Sequence, residues 1–349
     1  MKPLKARLCD LHGLAVASTL TLVGSLAISW GFAPNRALHA KAWSLLPASL
    51  HMAWGNNPRP LIQGATSADS RKHTDILEAV RHYLDMDDLP IDVDVLKGTT
   101  WREAAPLLAQ DSGRPMPSRH GTLPWELERT YWRLVRAWAP ADNTAPEPEQ
   151  ITRAAAADLG HYLADAHVPL HTSGNYDGQR SNQRGIHALW ETHAVEWMLG
   201  NSAPRHCEPC DVETLGFDPV WTPWEILAES HALAPDVFRA ERTWQALCQD
   251  RGFGFRRRGR TMQLLPTPEA LTIWDSLTHH HTWPRYCIAA QRIAAAWHAA
   301  WLDAGRPILP TAEEPNWIDK AKSYLPPWRA SATRTRDTPL IEDHEDLDP

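Results

Sequence analysis

The sequence has no excess of positive charge. Its 349 residues include 35 Lys and Arg against 42 Asp and Glu, which gives a formal net charge of −7. A chain of this charge has no overall attraction for polyanions, so we expect no stable complex with nucleic acid. If the protein acts on a phosphate ester, metal ions in the site must supply the positive charge.

Several catalytic signatures are also missing. The sequence contains no Gly-rich phosphate-binding loop and no G-x-S-x-G segment, so nothing in it indicates a serine nucleophile. It contains no internal repeat and no series of segments that alternate polar and apolar residues. Its 43% hydrophobic and 22% charged residues indicate a globular protein rather than a disordered one.

Helical periodicity is the pattern that recurs. It predicts helices over residues 125–138, 149–166, 187–199 and 285–304. Residues 202–222 contain proline and cysteine and are expected to form a long loop. We interpret the 18 Trp residues as anchors of helix packing. Together these patterns predict an all-α protein with a single multi-helix domain.

The first 29 residues are typical of an export signal. Three basic residues precede the apolar stretch from Gly13 to Ile28, and small residues then form a cleavage site that ends at Ser29. The stretch is short for a membrane span, although an uncleaved anchor is the alternative. We therefore expect an exported protein, periplasmic or secreted.

The end of the chain differs from its middle. Residues 30–310 are expected to form the domain, and residues 311–349 to form a disordered acidic tail that ends in IEDHEDLDP.

Four cysteines follow the export signal, so one or two disulfides are plausible. For the pair Cys207 and Cys210 we favour a disulfide or free thiols over a zinc or redox site.

Two pairs of potential metal ligands stand out. In DLGHYLADAHVPLH, His161 and Asp165 are four residues apart and share a helix face, and His171 follows a proline. In GIHALWE, His187 and Glu191 repeat the same spacing. Nitrogen and oxygen donors in this combination suit zinc.

Further candidates lie upstream. His82 and Asp85 occur in RHYLDMDD, and Asp69 occurs in SADSRK. Any one of these residues alone is more often an ordinary surface residue than a metal ligand. Their combination with the two spaced pairs is what indicates a metal centre. Asp87 and Asp88 are expected to be solvated, and His167 is expected to be structural or to support a ligand from behind. The run His279–His281 is expected to form a solvated loop, with a metal-binding tract as the alternative.

At this point the motifs resemble a known superfamily, which joins bacterial zinc-dependent phospholipases C with the secreted single-strand nucleases of fungi and plants. Its signature is H-x3-D-x5-H followed by H-x3-(D/E), which the two motifs match. The phrases LPWELE, NYDGQ, GIHALWE and AAWLDAGRP resemble a bacterial phospholipase C-like branch. The likeness runs from Trp30 to about Pro307 and implies a zinc-dependent hydrolase domain over that stretch.

The resemblance implies ligand sets for two zinc ions. One ion would be held by Asp69, His82, His161 and Asp165, with Asp165 shared with a neighbouring zinc. The second ion would be held by three residues: His171, His187 and Glu191.

A third zinc is held in the family by the amine and carbonyl of an N-terminal Trp, a His five residues further on, and the shared Asp. Trp30 and Asp165 match two of these parts. Asn35 stands where the family has His, and an amide oxygen is a poorer zinc donor than imidazole. His39, one helical turn further, is an alternative ligand. The expected content is therefore two or three zinc ions per chain.

The implied activity is hydrolysis of a phosphate ester by a metal-activated water, with Asp69 or Asp85 as the catalytic residue that orients the water. The substrate would be a phospholipid head group or a nucleotide, and transient contact with a membrane surface is possible. Arg71 and Arg184 are interpreted as surface residues, with a phosphate contact as the alternative. Two other functions remain open: a single-strand nuclease or 3′-nucleotidase, and a degenerate relative without activity.

We predict that the exported protein begins at Trp30. Cleavage after Ser29 frees the amine that the resemblance makes a zinc ligand, whereas a nitrogen within a peptide bond cannot serve. N-terminal sequencing of exported material measures this. A start upstream of Trp30 would remove that ligand from the site.

Overall fold

The computed structural model describes residues 31–109, 117–138, 148–200, 205–258 and 261–309. These residues are mostly helical, which confirms the predicted all-α class. The predicted export signal, Trp30 and the predicted tail lie outside the described residues. Among the described helices, none combines the length and the apolar character that a membrane crossing requires.

The α-helices of the described residues are, in chain order, α1 (Phe32–Ser44), α2 (Ala48–Ala53), α3 (Arg59–Gly64), α4 (Ser67–Arg71), α5 (Val93–Leu96), α6 (Trp101–Leu108), α7 (Leu123–Trp138), α8 (Pro148–Ala166), α9 (Ile186–Ala188), α10 (Ala194–Gly200), α11 (Val212–Leu215), α12 (Thr222–Cys248), α13 (Pro268–Thr278) and α14 (Thr282–Asp303). Short 3-10 turns lie at Ala79–His82, Met86–Asp88, Pro117–His120, Pro169–Thr172 and Gln249–Arg251. A π-helical turn, Leu189–His193, joins α9 to α10.

The four predicted helices are confirmed as α7, α8, α14 and the run from α9 to α10. Their ends differ by a few residues from the prediction. Pro284 was expected to precede α14 but lies inside its first turn. A proline is tolerated there because the first N–H groups of a helix have no partner within the helix.

One β-hairpin escaped the sequence analysis, which found no strand pattern. Strand β1 (Phe253–Arg258) pairs antiparallel with β2 (Thr261–Pro266), with Phe255 opposite Leu264. Three consecutive arginines in β1 hide the alternation that usually marks a strand. The prediction was therefore wrong for this segment.

Tryptophan rings hold the centre of the helical assembly, as predicted. Trp54 lies between Trp138 and Trp297, with ring centroids 5.3 Å and 5.7 Å away. The indole N–H of Trp297 in α14 donates to the carbonyl oxygen of Ala156 in α8 at 2.9 Å. The indole N–H groups of Trp54 and Trp138 have no hydrogen-bond partner among the described residues, so these two rings stabilise the centre through apolar contact.

Helix α8 lies at the centre of the packing, in contact with α1, α3, α7 and α14. Its small residues allow these neighbours to approach closely. A Cβ atom at Gly160 would lie 2.6 Å from His39 Nε2 and 3.1 Å from the Trp297 ring. The helix that carries His161 and Asp165 is therefore enclosed on several sides.

The irregular stretch before α12 is tied to α14 by a disulfide between Cys207 and Cys287. This agrees with the expectation of a disulfide or free thiols at Cys207 and Cys210, since Cys207 is in a disulfide and Cys210 is a free thiol. The pairing joins residues 80 positions apart, which local spacing cannot reveal. The predicted loop over 202–222 is irregular in its described part, apart from the single turn of α11.

We predict that Cys287→Ser lowers the free energy of unfolding, whereas Cys210→Ser, the matched control, leaves it nearly unchanged. Closing a loop of this length restricts the unfolded chain, which in the chain-entropy model corresponds to about 4 kcal/mol. Urea unfolding of the oxidised proteins measures both values. Equal stability of the two variants would show that the bond contributes nothing.

Candidate metal centre

Three buried side chains converge where α4, the 3-10 turn Ala79–His82 and α8 meet. They are Asp69, His82 and His161, and their potential ligand atoms lie within 4.8 Å of one another. His161 Nε2 is 3.2 Å from His82 Nδ1 and 3.6 Å from Asp69 Oδ1. We call these three residues the first group.

A second buried group consists of His171, His187 and Glu191. The 3-10 turn Pro169–Thr172 supplies His171, and the helical run that begins at α9 supplies the other two. The Nε2 atoms of the two histidines are 3.2 Å apart. Each approaches a different oxygen of Glu191: His187 Nε2 is 3.1 Å from Oε1, and His171 Nε2 is 3.4 Å from Oε2.

Asp165 lies between the two groups and is fully buried. Its Oδ2 atom is 2.7 Å from His82 Nδ1 and 3.5 Å from His161 Nε2. Its Oδ1 atom is 3.8 Å from His171 Nδ1. One carboxylate thus lies next to both groups, but it meets His171 at Nδ1, the nitrogen that points away from the second group. The resemblance implies a different sharing, between the first zinc and the zinc at Trp30, which lies outside the described residues.

The spacing of these atoms fits a bound metal ion. Ligands at 2.0–2.1 Å from a tetrahedral ion are about 3.3 Å apart. Of the six separations within the two groups, five are 3.1–3.6 Å, and the sixth, from His82 Nδ1 to Asp69 Oδ1, is 4.0 Å. Asp69 Oδ2 and Glu191 Oε2 are buried and accept no hydrogen bond from the described residues, so each has a lone pair for a cation. Both groups can therefore hold a metal ion.

Backbone carbonyls orient three of the imidazoles. His161 Nδ1 donates to Ala65 O at 2.8 Å, His171 Nδ1 to His82 O at 2.5 Å, and His187 Nδ1 to Tyr176 O at 3.2 Å. Donation through Nδ1 places the lone pair on Nε2, the atom that faces the ligand group. The rings are thereby fixed in the tautomer that a metal ion requires.

Glu78 is a residue that the sequence analysis missed. Its Oε1 atom is 3.4 Å from His82 Nε2, on the opposite side of the ring from the first group. Burial raises the pKa of the Glu78 carboxyl, but hydrogen bonds from His82, Tyr162 and Arg71 outweigh that effect and hold this pKa well below its usual range. An ionised carboxylate behind a ligating imidazole orients the ring and strengthens it as a donor. The signal in the sequence was the four-residue spacing of Glu78 and His82.

The sequence analysis also missed the cation next to the first group. Lys72 Nζ is 2.8 Å from Asp69 Oδ1, and both side chains are buried. Arg71, considered as a phosphate contact, instead pairs with Glu78 and Asp158. Arg184 is exposed. Lys72 is therefore the positive charge that the fold brings to the candidate site.

Asp85 belongs to neither group, and its catalytic role stays a prediction. Burial raises the pKa of its carboxyl to about 7, with further contributions from Asp88 and Asp87. Asp87 is exposed, as expected, and Asp88 is partly exposed, but both carboxylates also make contacts with the protein. Asp87 Oδ2 accepts a hydrogen bond from Ser173 Oγ at 2.6 Å, and Asp88 pairs with Arg180. These contacts fix the chain that follows His171.

Four further histidines, His167 and the run His279–His281, belong to neither ligand group. His167 is buried and donates through Nδ1 to Leu163 O at 2.7 Å, as expected. Of the run His279–His281, the first two are exposed as predicted. The expectation was wrong for His281, which is buried and stacked on Trp190 with a centroid distance of 6.4 Å.

For the implied third zinc, Trp30 lies outside the described residues. Gly31, its neighbour, donates its N–H to Thr192 Oγ1 at 3.2 Å, next to Glu191 in the chain. Asn35 is buried in α1. The ring nitrogens of His39 lie 3.0 Å from Asn35 O and 3.2 Å from Ala157 O, and burial lowers its pKa to about 4. His39 thus contacts carbonyl oxygens and belongs to neither ligand group.

The comparisons with known proteins add no relative. No protein-family model, no curated protein and no solved structure matches the chain. The resemblance of its motifs to the phospholipase C and nuclease superfamily therefore stays a prediction, and the site is argued from its geometry.

We predict that the protein retains about two zinc ions per chain after mild dialysis, because the described residues provide two complete ligand groups. Asn35→His adds an imidazole at the position of the missing ligand and should raise the content towards three. Elemental analysis measures both values, with Asn57→His as a surface control. Three firmly held ions in the unchanged protein would contradict the assignment of Asn35 as a lost ligand.

Proposed function

We propose that the protein is a zinc-dependent phosphoesterase that hydrolyses a phosphodiester with water, in the manner of a phospholipase C. The observation that supports this most is that two buried groups of imidazoles and carboxylates, each able to hold a metal ion, lie on either side of Asp165. Sites with two neighbouring metal ions favour displacement at phosphorus.

Zinc is the metal we infer, because both groups combine imidazole nitrogen with carboxylate oxygen and need no thiolate. When bound, zinc lowers the pKa of a coordinated water towards 7 and neutralises charge on the phosphate oxygens. The protein would supply the geometry. Glu78 and three backbone carbonyls hold the imidazoles in place, so little rearrangement is needed during the reaction.

Asp69 and Lys72 are the residues we assign to the substrate side of the first group. Asp69 Oδ1 is 3.6 Å from His161 Nε2, while Oδ2 accepts no hydrogen bond from the described residues. One oxygen can therefore face the ion and the other can accept a hydrogen bond from the attacking water. The Lys72 ammonium next to Asp69 can pair with a non-bridging phosphate oxygen and stabilise the charge that develops there.

A single-strand nuclease is the second candidate, and one residue favours it. The Tyr176 side chain is 42% exposed, and its ring meets the His187 ring edge-on with centroids 5.9 Å apart. An exposed aromatic ring next to a metal ligand can stack on an unpaired base.

The third alternative, a relative without activity, rests on Asn35 alone.

We predict that His187→Ala lowers the rate of hydrolysis of a soluble chromogenic phosphodiester by at least about 100-fold. Loss of a residue that only orients a ligand costs about 10–100-fold, so loss of a ligand should cost no less. His73→Ala removes an exposed histidine and serves as the control. Activity of His187→Ala within threefold of the unchanged protein would refute the assignment.

The same assay separates the candidate substrates. A phospholipase should prefer short-chain phospholipids to single-stranded oligonucleotides, and Tyr176→Ala should then have little effect on either. Preference for oligonucleotides, with a loss on Tyr176→Ala, would establish the nuclease. Absence of both bound zinc and hydrolysis would establish the inactive relative.

A further inference from the structure

The hairpin Phe253–Pro266 exposes an unusual amount of apolar surface. Its large side chains that lie between 46% and 73% exposed are Phe253, Phe255, Met262 and Leu264. The pairing register places Phe255 directly opposite Leu264. Because side chains alternate between the faces of a strand, all four belong to one face of the hairpin.

The hairpin is attached to the rest of the protein at its base. The Phe253 ring packs edge-on against Trp244 of α12 with centroids 5.5 Å apart. Thr267 N donates to Gly252 O at 3.0 Å and closes the two ends of the hairpin. Beyond this anchored base, Phe255 and Leu264 face solvent and gain no burial from the fold. A contiguous apolar patch of this kind marks an interaction surface.

The charge of this segment is opposite to that of the whole protein. From Arg251 to Pro266 the sequence contains five arginines and no acidic residue, whereas the complete chain has a formal net charge of −7. Three of the arginines, Arg256–Arg258, are consecutive in β1. The hairpin therefore combines exposed aromatic and aliphatic side chains with a concentrated positive charge.

We propose that the hairpin is a docking element for an anionic lipid surface. Aromatic and aliphatic residues enter the boundary between head groups and acyl chains, and arginines bind the acidic head groups, so each component of the hairpin has a partner there. A second copy of the chain would add a second segment of the same positive charge, which disfavours self-association through the hairpin. Where the docked lipid is also the substrate, the inference rests on the proposed function.

The position of the hairpin links this surface to the candidate metal centre. Phe253 and Gly252 at its base line a cleft of about 320 Å³ together with Gly185, Ile186 and Leu189. These last three residues flank His187, a member of the second group. A hairpin docked on lipid would therefore hold the helix that carries two ligands of the second group close to the membrane surface.

The test is sedimentation of the exported protein with lipid vesicles. The N-terminus of the protein is sequenced first, because an uncleaved apolar export signal would itself bind to the vesicles. We expect strong binding to vesicles of equal parts phosphatidylcholine and phosphatidylglycerol, weak binding to phosphatidylcholine alone, and weakening by salt. The triple variant Arg256→Gln, Arg257→Gln and Arg258→Gln should bind about 100-fold more weakly, since each basic residue near an anionic surface contributes about fivefold.

A second variant tests the apolar component. Phe255→Ser with Leu264→Ser should bind at least about tenfold more weakly, because affinity grows with the apolar area that enters the lipid. Ile76→Ser with Ile308→Ser removes two aliphatic residues elsewhere that are even more exposed, and serves as the apolar control. The control for charge replaces three exposed arginines with glutamine: Arg36, Arg59 and Arg102. Thermal unfolding of every variant verifies that the fold is intact.

Several outcomes would overturn the proposal. One is that the unchanged protein does not bind anionic vesicles, and another is that the hairpin variants bind them as well as the control variants do. A third is that the hairpin variants keep vesicle binding but lose self-association or oligonucleotide binding. His187→Ala separates this proposal from the proposed function, because docking needs no hydrolysis. Vesicle binding without hydrolysis would refute the enzyme and leave the docking element, whereas hydrolysis of the soluble diester without vesicle binding would refute docking alone.

Discussion

Burial of three carboxylates among four imidazoles is the constraint on which the rest of this structure depends. Asp69, Asp165 and Glu191 are each at most 5% exposed, and the four histidines around them are also buried. Buried charges are tolerated only when they are paired or coordinate a cation. Lys72 meets part of this demand next to Asp69. The remaining negative charge is what makes a bound metal ion the physically consistent partner of the cluster.

The fold supplies this cluster from one rigid helix and several short segments. Helix α8 carries two of the residues and is fixed by close packing, in which Gly160 allows His39 and Trp297 to approach. The other residues come from short turns, which would be mobile if they were not restrained. The backbone carbonyls behind His161, His171 and His187 and the carboxylates of Asp87 and Asp88 provide that restraint. Ligand positions are thereby set before any ion or substrate arrives, which is what catalysis at a metal centre requires.

Large apolar side chains are divided between two tasks. Tryptophans such as Trp54 and Trp297 are buried and hold the helices together. Phe255 and Leu264 remain in water on the part of the hairpin that lies beyond its base. Two-stranded hairpins are only marginally stable by themselves, so the anchor of Phe253 on Trp244 is what keeps this surface in place.

The sequence by itself determined the helices and the two ligand pairs, His161 with Asp165 and His187 with Glu191. Both are local properties, because helical periodicity and a four-residue spacing act within one or two turns. It also indicated that His82 and Asp69 belong with them, but only through the resemblance of the motifs.

The tertiary structure alone decided which of these residues meet. His82 and Asp165 are 83 residues apart in the chain, and Cys207 and Cys287 are 80 apart, so no local pattern relates them. Lys72 was missed because a cation next to a ligand is recognised only from its distance. Glu78 was missed because its four-residue spacing from His82 does not by itself show that the carboxylate meets the ring. The exposed hairpin was missed for the opposite reason. A strand whose apolar side chains face solvent lacks the polar and apolar alternation that burial against a core imposes on a sequence.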